Sequence, residues 1–137
     1  MTALSADRNT RERASTTRRV FPAAAATVYF AGAMAAVNAA GRVVPMSTAL
    51  GLRGVGRVER RVDNATGAND ALTVEVGAGT YRFANSAAAD LITKADIGND
   101  CYGVDDQTVA KTSATNTRSV AGKIFDVDDQ GVWVTFS

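Results

Sequence analysis

The chain has 137 residues, of which 46% are apolar and 21% charged, a composition typical of one globular domain with a single core. It contains no histidine and a single cysteine, Cys101, which excludes a Ser-His-Asp triad, a Cys-His pair, an internal disulfide and a Cys/His zinc site. We therefore expect a protein that is not an enzyme and binds no cofactor, with Cys101 serving as a small apolar core residue.

The net charge is only +1, but the charges are unevenly distributed. Residues 1–61 contain ten arginines and three acids, whereas residues 62–137 contain five basic and eleven acidic residues. Complementary charges of this kind suit a protein whose copies or partners meet positive surface with negative surface. The alternative is a basic tail beside an acidic domain, without any pairing between them.

The first nineteen residues contain five arginines, many small polar residues and, besides Met1, only one large apolar residue, Leu4. Such a segment cannot bury a core of its own. We expect residues 1–19 to form an extended arm that becomes ordered on another surface, and residues 20–137 to form a single β-rich domain.

Residues 20–41 carry no charge and must be considered as a membrane span or an export signal. The Arg18-Arg19 pair and the alanine-rich stretch after it resemble a twin-arginine signal, so an exported envelope protein is the alternative function. Alanine hardly favours lipid, and Pro22, Gly32 and Asn38 interrupt the run, so we expect no membrane insertion. Thr27 to Phe30 predicts a strand, whereas residues 31–40 leave an alanine helix open as a second interpretation.

The rest of the chain predicts short strands separated by turns rich in glycine, aspartate and asparagine. These strands cover residues 42–45, 54–62, 72–76, 80–83, 101–104, 108–111, 120–127 and 131–136. Residues 77–79 predict the turn of a hairpin, residues 63–67 another turn, and residues 128–131 the turn between the last two strands. Short helical turns are expected at residues 87–90 and 93–96. The predicted fold class is mainly β, a small barrel or sandwich.

Two other binding functions, for calcium and for nucleic acid, are suggested by charged residues in the sequence. Asp126, Asp128 and Asp129 begin like a calcium loop, but the twelfth position is Ser137, which cannot supply the required bidentate carboxylate. The arginines of the arm are able to contact phosphates, but the acidic C-terminal half repels a polyanion and no base-reading motif is present. We expect no metal and no specific nucleic acid.

The C-terminal half contains short sequence segments that resemble those of the head decoration, or cement, proteins of tailed bacteriophages. They are Ala89-Asp90-Leu91-Ile92-Thr93, Asp96-Ile97-Gly98-Asn99-Asp100-Cys101-Tyr102, Val104-Asp105-Asp106-Gln107-Thr108-Val109-Ala110, Arg118-Ser119-Val120-Ala121-Gly122-Lys123 and Gly131-Val132-Trp133-Val134. The resemblance covers residues 20–137 and leaves out the arm.

The resemblance implies a structural virion protein that is made in the host cytoplasm and binds the capsid exterior. Its implied partners are the major capsid protein and further copies of itself, commonly as a trimer. We expect the arm arginines to form the tether between subunits, and Trp133 and Phe136 to pack in the core or at the oligomer seam. The predicted interaction residues are Arg8, Arg11, Arg13, Arg18, Arg19 and Trp133.

Overall fold

The computed structural model describes residues 2–13 and 16–137, and it confirms the mainly β class. The strands are β1 (Arg18–Pro22), β2 (Thr27–Tyr29), β3 (Met34–Val37), β4 (Val43–Pro45), β5 (Arg53–Val58), β6 (Val62–Asn64), β7 (Thr73–Gly77), β8 (Gly79–Phe83), β9 (Asp100–Gly103), β10 (Val109–Ala110), β11 (Val120–Asp128) and β12 (Gly131–Phe136). Two 3-10 turns, at Ala88–Asp90 and Lys94–Asp96, match the two predicted helical turns.

The strands divide between the two halves of the chain. The N-terminal sheet has the order β1-β7-β5-β3-β4, and the C-terminal sheet has the order β10-β9-β11-β12-β8. All strand pairs within these sheets are antiparallel. A small ribbon of β2 and β6 completes the fold.

Each five-stranded sheet curls until its two edges meet at one point. A single parallel bridge joins Ala23, just after β1, to Val43 in β4, and another joins Ala84, just after β8, to Thr108 before β10. Neither pair of edges forms a continuous ladder, so the sheets are strongly curved without closing into barrels.

The N-terminal sheet is fastened at its seam by the hydroxyl of Tyr29, whose side chain is fully buried. This hydroxyl accepts a hydrogen bond from the Ala24 amide at 2.9 Å and donates to the Val43 carbonyl at 2.6 Å. Burial raises the pKa of the Tyr29 phenol, so it keeps the proton that it donates.

The uncharged segment of the sequence becomes a strand that is buried on both faces. Met34 and Ala36 of β3 belong to the core shared with the C-terminal sheet, whereas Ala33 and Ala35 belong to the core of the N-terminal sheet. A strand between two cores requires apolar residues at every position, not at alternate ones. This explains the run without charges, and the alternative helix over residues 31–40 is wrong.

The predicted hairpin around residues 77–79 is also wrong. β7 pairs with β1 and β5, whereas β8 pairs with β12, so the chain crosses from one sheet to the other at this point. Gly79 adopts a φ of 155°, and a Cβ on Gly77 would collide with the side chains of Glu59 and Arg18. The two glycines therefore allow the chain to cross between the sheets where the side chains of Glu59 and Arg18 leave no room for a Cβ. The alternating sequence pattern does not distinguish such a crossover from a hairpin.

The predicted strand over residues 54–62 is split into β5 and β6, and the predicted turn after it starts later. Asn64 lies in β6 and is buried, and its amide donates to the carbonyls of Ala24 and Ala68. The amide side chain, which favours turns in isolated sequence, here holds the loop that follows the ribbon.

The two sheets approach closely where β5 faces β11. A Cβ on Gly54 would overlap the backbone carbonyl of Ala121, so only glycine fits at this position. The small residues Gly54 and Ala121 therefore set the distance between the sheets.

Candidate interaction surface

The arm is exposed along all of its described length. Every residue from 2 to 13 is exposed, including Leu4 at 72%, and no side chain among them forms a salt bridge with the folded body. Arg8, Arg11 and Arg13 are therefore presented to solvent, as a tether requires. Arg13 lies beside Arg18, Val20 and Glu75 along a groove next to β1.

Arg18 does not belong to the arm. It begins β1, opposite Gly77 of β7, so the folded domain starts before the predicted boundary at residue 20. Its guanidinium lies 2.6 Å from the carboxylate of Glu59, which is only 12% exposed, and 3.8 Å from Glu75. Arg57 contacts the same Glu59 carboxylate at 3.2 Å. Arg18 thus fastens β1 to the sheet, which contradicts its assignment to the tether.

Arg19 is also part of the folded domain. Its guanidinium lies 5.1 Å from the centre of the Phe21 ring and donates to the Val55 carbonyl at 3.5 Å. Phe21 in turn packs against the core of the N-terminal sheet. The sequence did not reveal these contacts, because Glu59 and Val55 lie about forty residues away from the arginine pair. A local sequence pattern gives no signal for partners at that distance.

Trp133 lies on the outer face of β12, half-buried. Its indole N–H donates to Asp128 at 2.9 Å, and the Arg82 guanidinium lies 5.5 Å from its ring centre. The hydrogen bond from Trp133 is the main reason that the pKa of Asp128 is lowered. Trp133 is therefore outside the core and available at the surface, whereas Phe136 is buried against Phe83 and Tyr81.

Several carboxylates of the C-terminal half have structural partners. Asp96 accepts from the Thr93 amide, Asp126 contacts Lys94 at 3.1 Å, and Asp90 contacts Arg118 at 3.2 Å. Asp105 accepts a hydrogen bond from the Gln107 amide at 2.9 Å, as a turn residue does. No group of three potential metal ligands occurs in the part of the chain that the structure describes.

Cys101 lies fully buried in β9, inside the core of the C-terminal sheet. Burial raises the pKa of its thiol to about 11, so the reactive thiolate is scarce at neutral pH. This position agrees with the predicted role as a core residue.

Two grooves that share Gly32 lie near the open edge of β8, and the first of them is lined by β8 itself. One is about 480 Å³ and is lined by Gly32, Arg57, Trp133 and the residues 80–83 of β8; the other, about 400 Å³, also contains Gly32 and extends to Phe30 and Asp106. Arg57 and Arg82 line the first groove, Arg61 lies beside Phe30 of the second, and each of these guanidinium groups lies over an aromatic ring. The pairs are Arg57 on Tyr81 at 4.2 Å, Arg61 on Phe30 at 5.4 Å and Arg82 on Trp133 at 5.5 Å. Of these residues, sequence reasoning singled out only Trp133, because the two grooves join segments that are distant along the chain.

The chain matches no protein-family model, no curated protein and no solved structure. Over residues 2–13 and 16–137, no helix is both long and apolar enough to cross a membrane.

Proposed function

We propose that the protein is a structural component of a tailed-phage virion that binds the outer surface of the capsid and cements adjacent capsomers. Its partners in this proposal are the major capsid protein and further copies of itself, with a trimer as the favoured oligomer. The sequence segments that resemble phage decoration proteins support this class of protein, and the exposed arm is the observation that carries the mechanism.

The contrast between arm and body supports this proposal. The body is held by two cores and by the Arg18–Glu59 contact, which fixes the start of β1 to the sheet. Arg8, Arg11 and Arg13 are exposed and are able to contact acidic surface on a neighbour. Weak contacts of this kind, repeated over a lattice of identical neighbours, add through avidity.

The alternative function, an exported envelope protein, fits the fold less well. Arg18, Arg19 and Phe21 are parts of β1, and cleavage near Gly41 would remove β1, β2 and β3 from the molecule. β3 supplies buried residues to both cores, so a mature protein without it would lose packing in each of them.

The test is binding to purified expanded shells of the phage or prophage that encodes the chain, measured by co-sedimentation. We expect saturable binding by the full chain and at least a tenfold loss of affinity when residues 2–13 are deleted, because three arginine contacts per copy are removed. The deletion ends before Arg18 so that β1 stays intact.

A matched control replaces Arg8, Arg11 and Arg13 by glutamine and keeps the length of the arm. This variant should bind as weakly as the deletion at low salt, and the full chain should lose affinity as salt is raised. Normal occupancy by both variants would contradict the tether, and failure of the full chain to bind any shell would contradict the proposed function.

A further inference from the structure

The edge of β8 that faces away from β12 is unpaired. The Ala84 amide donates to the Gln107 carbonyl, and the Ala84 carbonyl accepts from Val109, so both backbone groups of Ala84 point away from β12. Because backbone groups alternate in direction along an antiparallel strand, those of Arg82 and Thr80 point the same way. Within residues 2–13 and 16–137, no strand pairs with β8 on this side along Gly79–Phe83.

The unpaired edge opens into the first of the two grooves. Thr80 and Arg82 line it, and Gly32 forms part of the opposite wall with no side chain to fill the space. A Cβ built on Gly32 would meet no atom within 4 Å. The groove therefore has room for a further extended strand beside β8, in line with the short segment that already bridges at Thr108.

The positive charges near the grooves favour a strand that carries carboxylate side chains. Arg61 and Arg82 form no salt bridge with any residue in the described part of the chain, and their guanidinium groups are held over Phe30 and Trp133. A guanidinium oriented in this way presents its N–H groups to a carboxylate at little further entropy cost. The faces of these rings are occupied by arginines, which disfavours stacking of nucleic-acid bases.

We propose that the open edge of β8 is a docking site for an extended peptide segment that carries carboxylate side chains and belongs to a partner protein. Backbone groups of the segment bond to those of Thr80 and Arg82, and its carboxylates contact Arg61 and Arg82. The arm of a second copy is a poor occupant, because residues 1–17 carry three arginines against two acids. This site does not depend on capsid decoration, since it would bind such a segment whatever protein supplies it.

Trp133 is the only tryptophan of the chain and lines the groove, so its fluorescence reports occupancy. The probe is a short, end-blocked peptide of alternating glutamate and valine, titrated into the full chain at low salt. We expect a saturable change with this peptide and none with a matched peptide of alternating lysine and valine.

Two substitutions of Thr80 distinguish the contribution of its backbone N–H to peptide binding from that of its side chain. Thr80→Pro removes the outward N–H, whereas Thr80→Val keeps it, and both lose the 2.8 Å hydroxyl contact with Thr135. We expect about tenfold weaker peptide binding for Thr80→Pro relative to Thr80→Val, the effect of one lost hydrogen bond. Arg61→Gln, which leaves the strand untouched, should weaken binding about threefold to tenfold and serves if Thr80→Pro fails to fold.

Several outcomes would overturn the proposal. They are no saturable response to the glutamate peptide, an equal response to the lysine peptide, and unchanged binding by folded Thr80→Pro together with Arg61→Gln. Competition by oligothymidylate for the same fluorescence change would assign the groove to nucleic acid instead. A fluorescence change that depends on protein concentration without peptide would assign it to self-association.

Discussion

Both five-stranded sheets are curved so that their edges meet, but the contacts that join the edges differ between the two sheets. In each, one parallel bridge joins the edges, at Ala23–Val43 in the N-terminal sheet and at Ala84–Thr108 in the C-terminal sheet. The first seam is completed by the buried hydroxyl of Tyr29, whereas the second is made by backbone bonds of Ala84 and supported by the hydroxyl of Ser86. A curved sheet thus needs one fastening point between its edges, and a side chain or the backbone is able to supply it.

The sheets also differ in charge and in how the charges are used. The N-terminal sheet concentrates Arg18, Arg57 and Glu59 at the crossover to the C-terminal sheet. Around the C-terminal sheet, Asp90, Asp96, Asp100 and Asp126 each contact a different basic side chain. One cluster thus secures the junction, whereas many small contacts secure the second half.

The largest expected effect comes from separating the two sheets. Gly54→Ala places a methyl group on the Ala121 backbone, which cannot move without shifting β11. We expect a loss of about 3 kcal/mol in the free energy of unfolding, measured by urea denaturation. Gly41→Ala is the control, since its site is open and only the φ of 82° opposes the change, at about 1 kcal/mol. Equal losses for the two variants would show that the sheets are not in close contact at Gly54.

The seam of the N-terminal sheet is opened by Tyr29→Phe. This change keeps the ring but leaves the Ala24 amide and the Val43 carbonyl without their shared partner. We expect a loss of about 2 kcal/mol, because buried polar groups without partners are costly. Hydrogen exchange should accelerate around Ala23 and Val43 more than in β9 and β11. Uniform acceleration of both sheets would mean that the seams are not independent.

The corresponding change at the second seam is Ser86→Ala, with a smaller expected effect. The Ser86 hydroxyl donates to the Val109 carbonyl at 2.8 Å, but the backbone bonds of Ala84 remain. We expect a loss of about 1 kcal/mol in urea denaturation. A loss as large as that of Tyr29→Phe would show that the second seam also depends on one side chain.

Acid should weaken the C-terminal sheet before the N-terminal sheet. Hydrogen bonds and nearby cations lower the pKa of Asp90, Asp96, Asp126 and Asp128 around the C-terminal sheet, and that of Asp70 beside the N-terminal sheet. A carboxylate whose pKa is lowered by folding stabilises the fold above its unfolded pKa of about 4, and this contribution is lost as the pH falls below it. Hydrogen exchange, expressed relative to the intrinsic amide rate at each pH, should therefore accelerate first in β9 and β11 as the pH falls from 5 to 2. Earlier acceleration in β1 and β7 would contradict this assignment.

Local patterns predicted much of the fold. The turn at residues 128–131 joins β11 and β12 as expected, and both 3-10 turns lie where their sequences predicted them. The segment from Val74 to Phe83 shows the limit, since alternation identifies two strands but not the sheets to which they belong. Period two depends on the two faces of a strand, whereas pairing depends on distant residues.

The candidate surface was less predictable than the fold. Arg8, Arg11 and Arg13 are exposed as the arm composition indicates, because a segment whose only large apolar residue besides Met1 is Leu4 cannot bury a core. Arg18 and Arg19 have the same local composition but are held by Glu59, Phe21 and Val55. The open edge of β8 left no signal in the sequence, because it is defined by the lack of a pairing strand along Gly79–Phe83 among residues 2–13 and 16–137.

The cementing proposal is tested most directly by the melting temperature of purified expanded shells, with and without saturating protein. A ligand that binds only the intact shell must stabilise it, so the melting temperature should rise with protein concentration. Deletion of residues 2–13 should remove most of this rise at equal protein concentration. Saturated shells that melt at the same temperature as bare shells would contradict the cementing function.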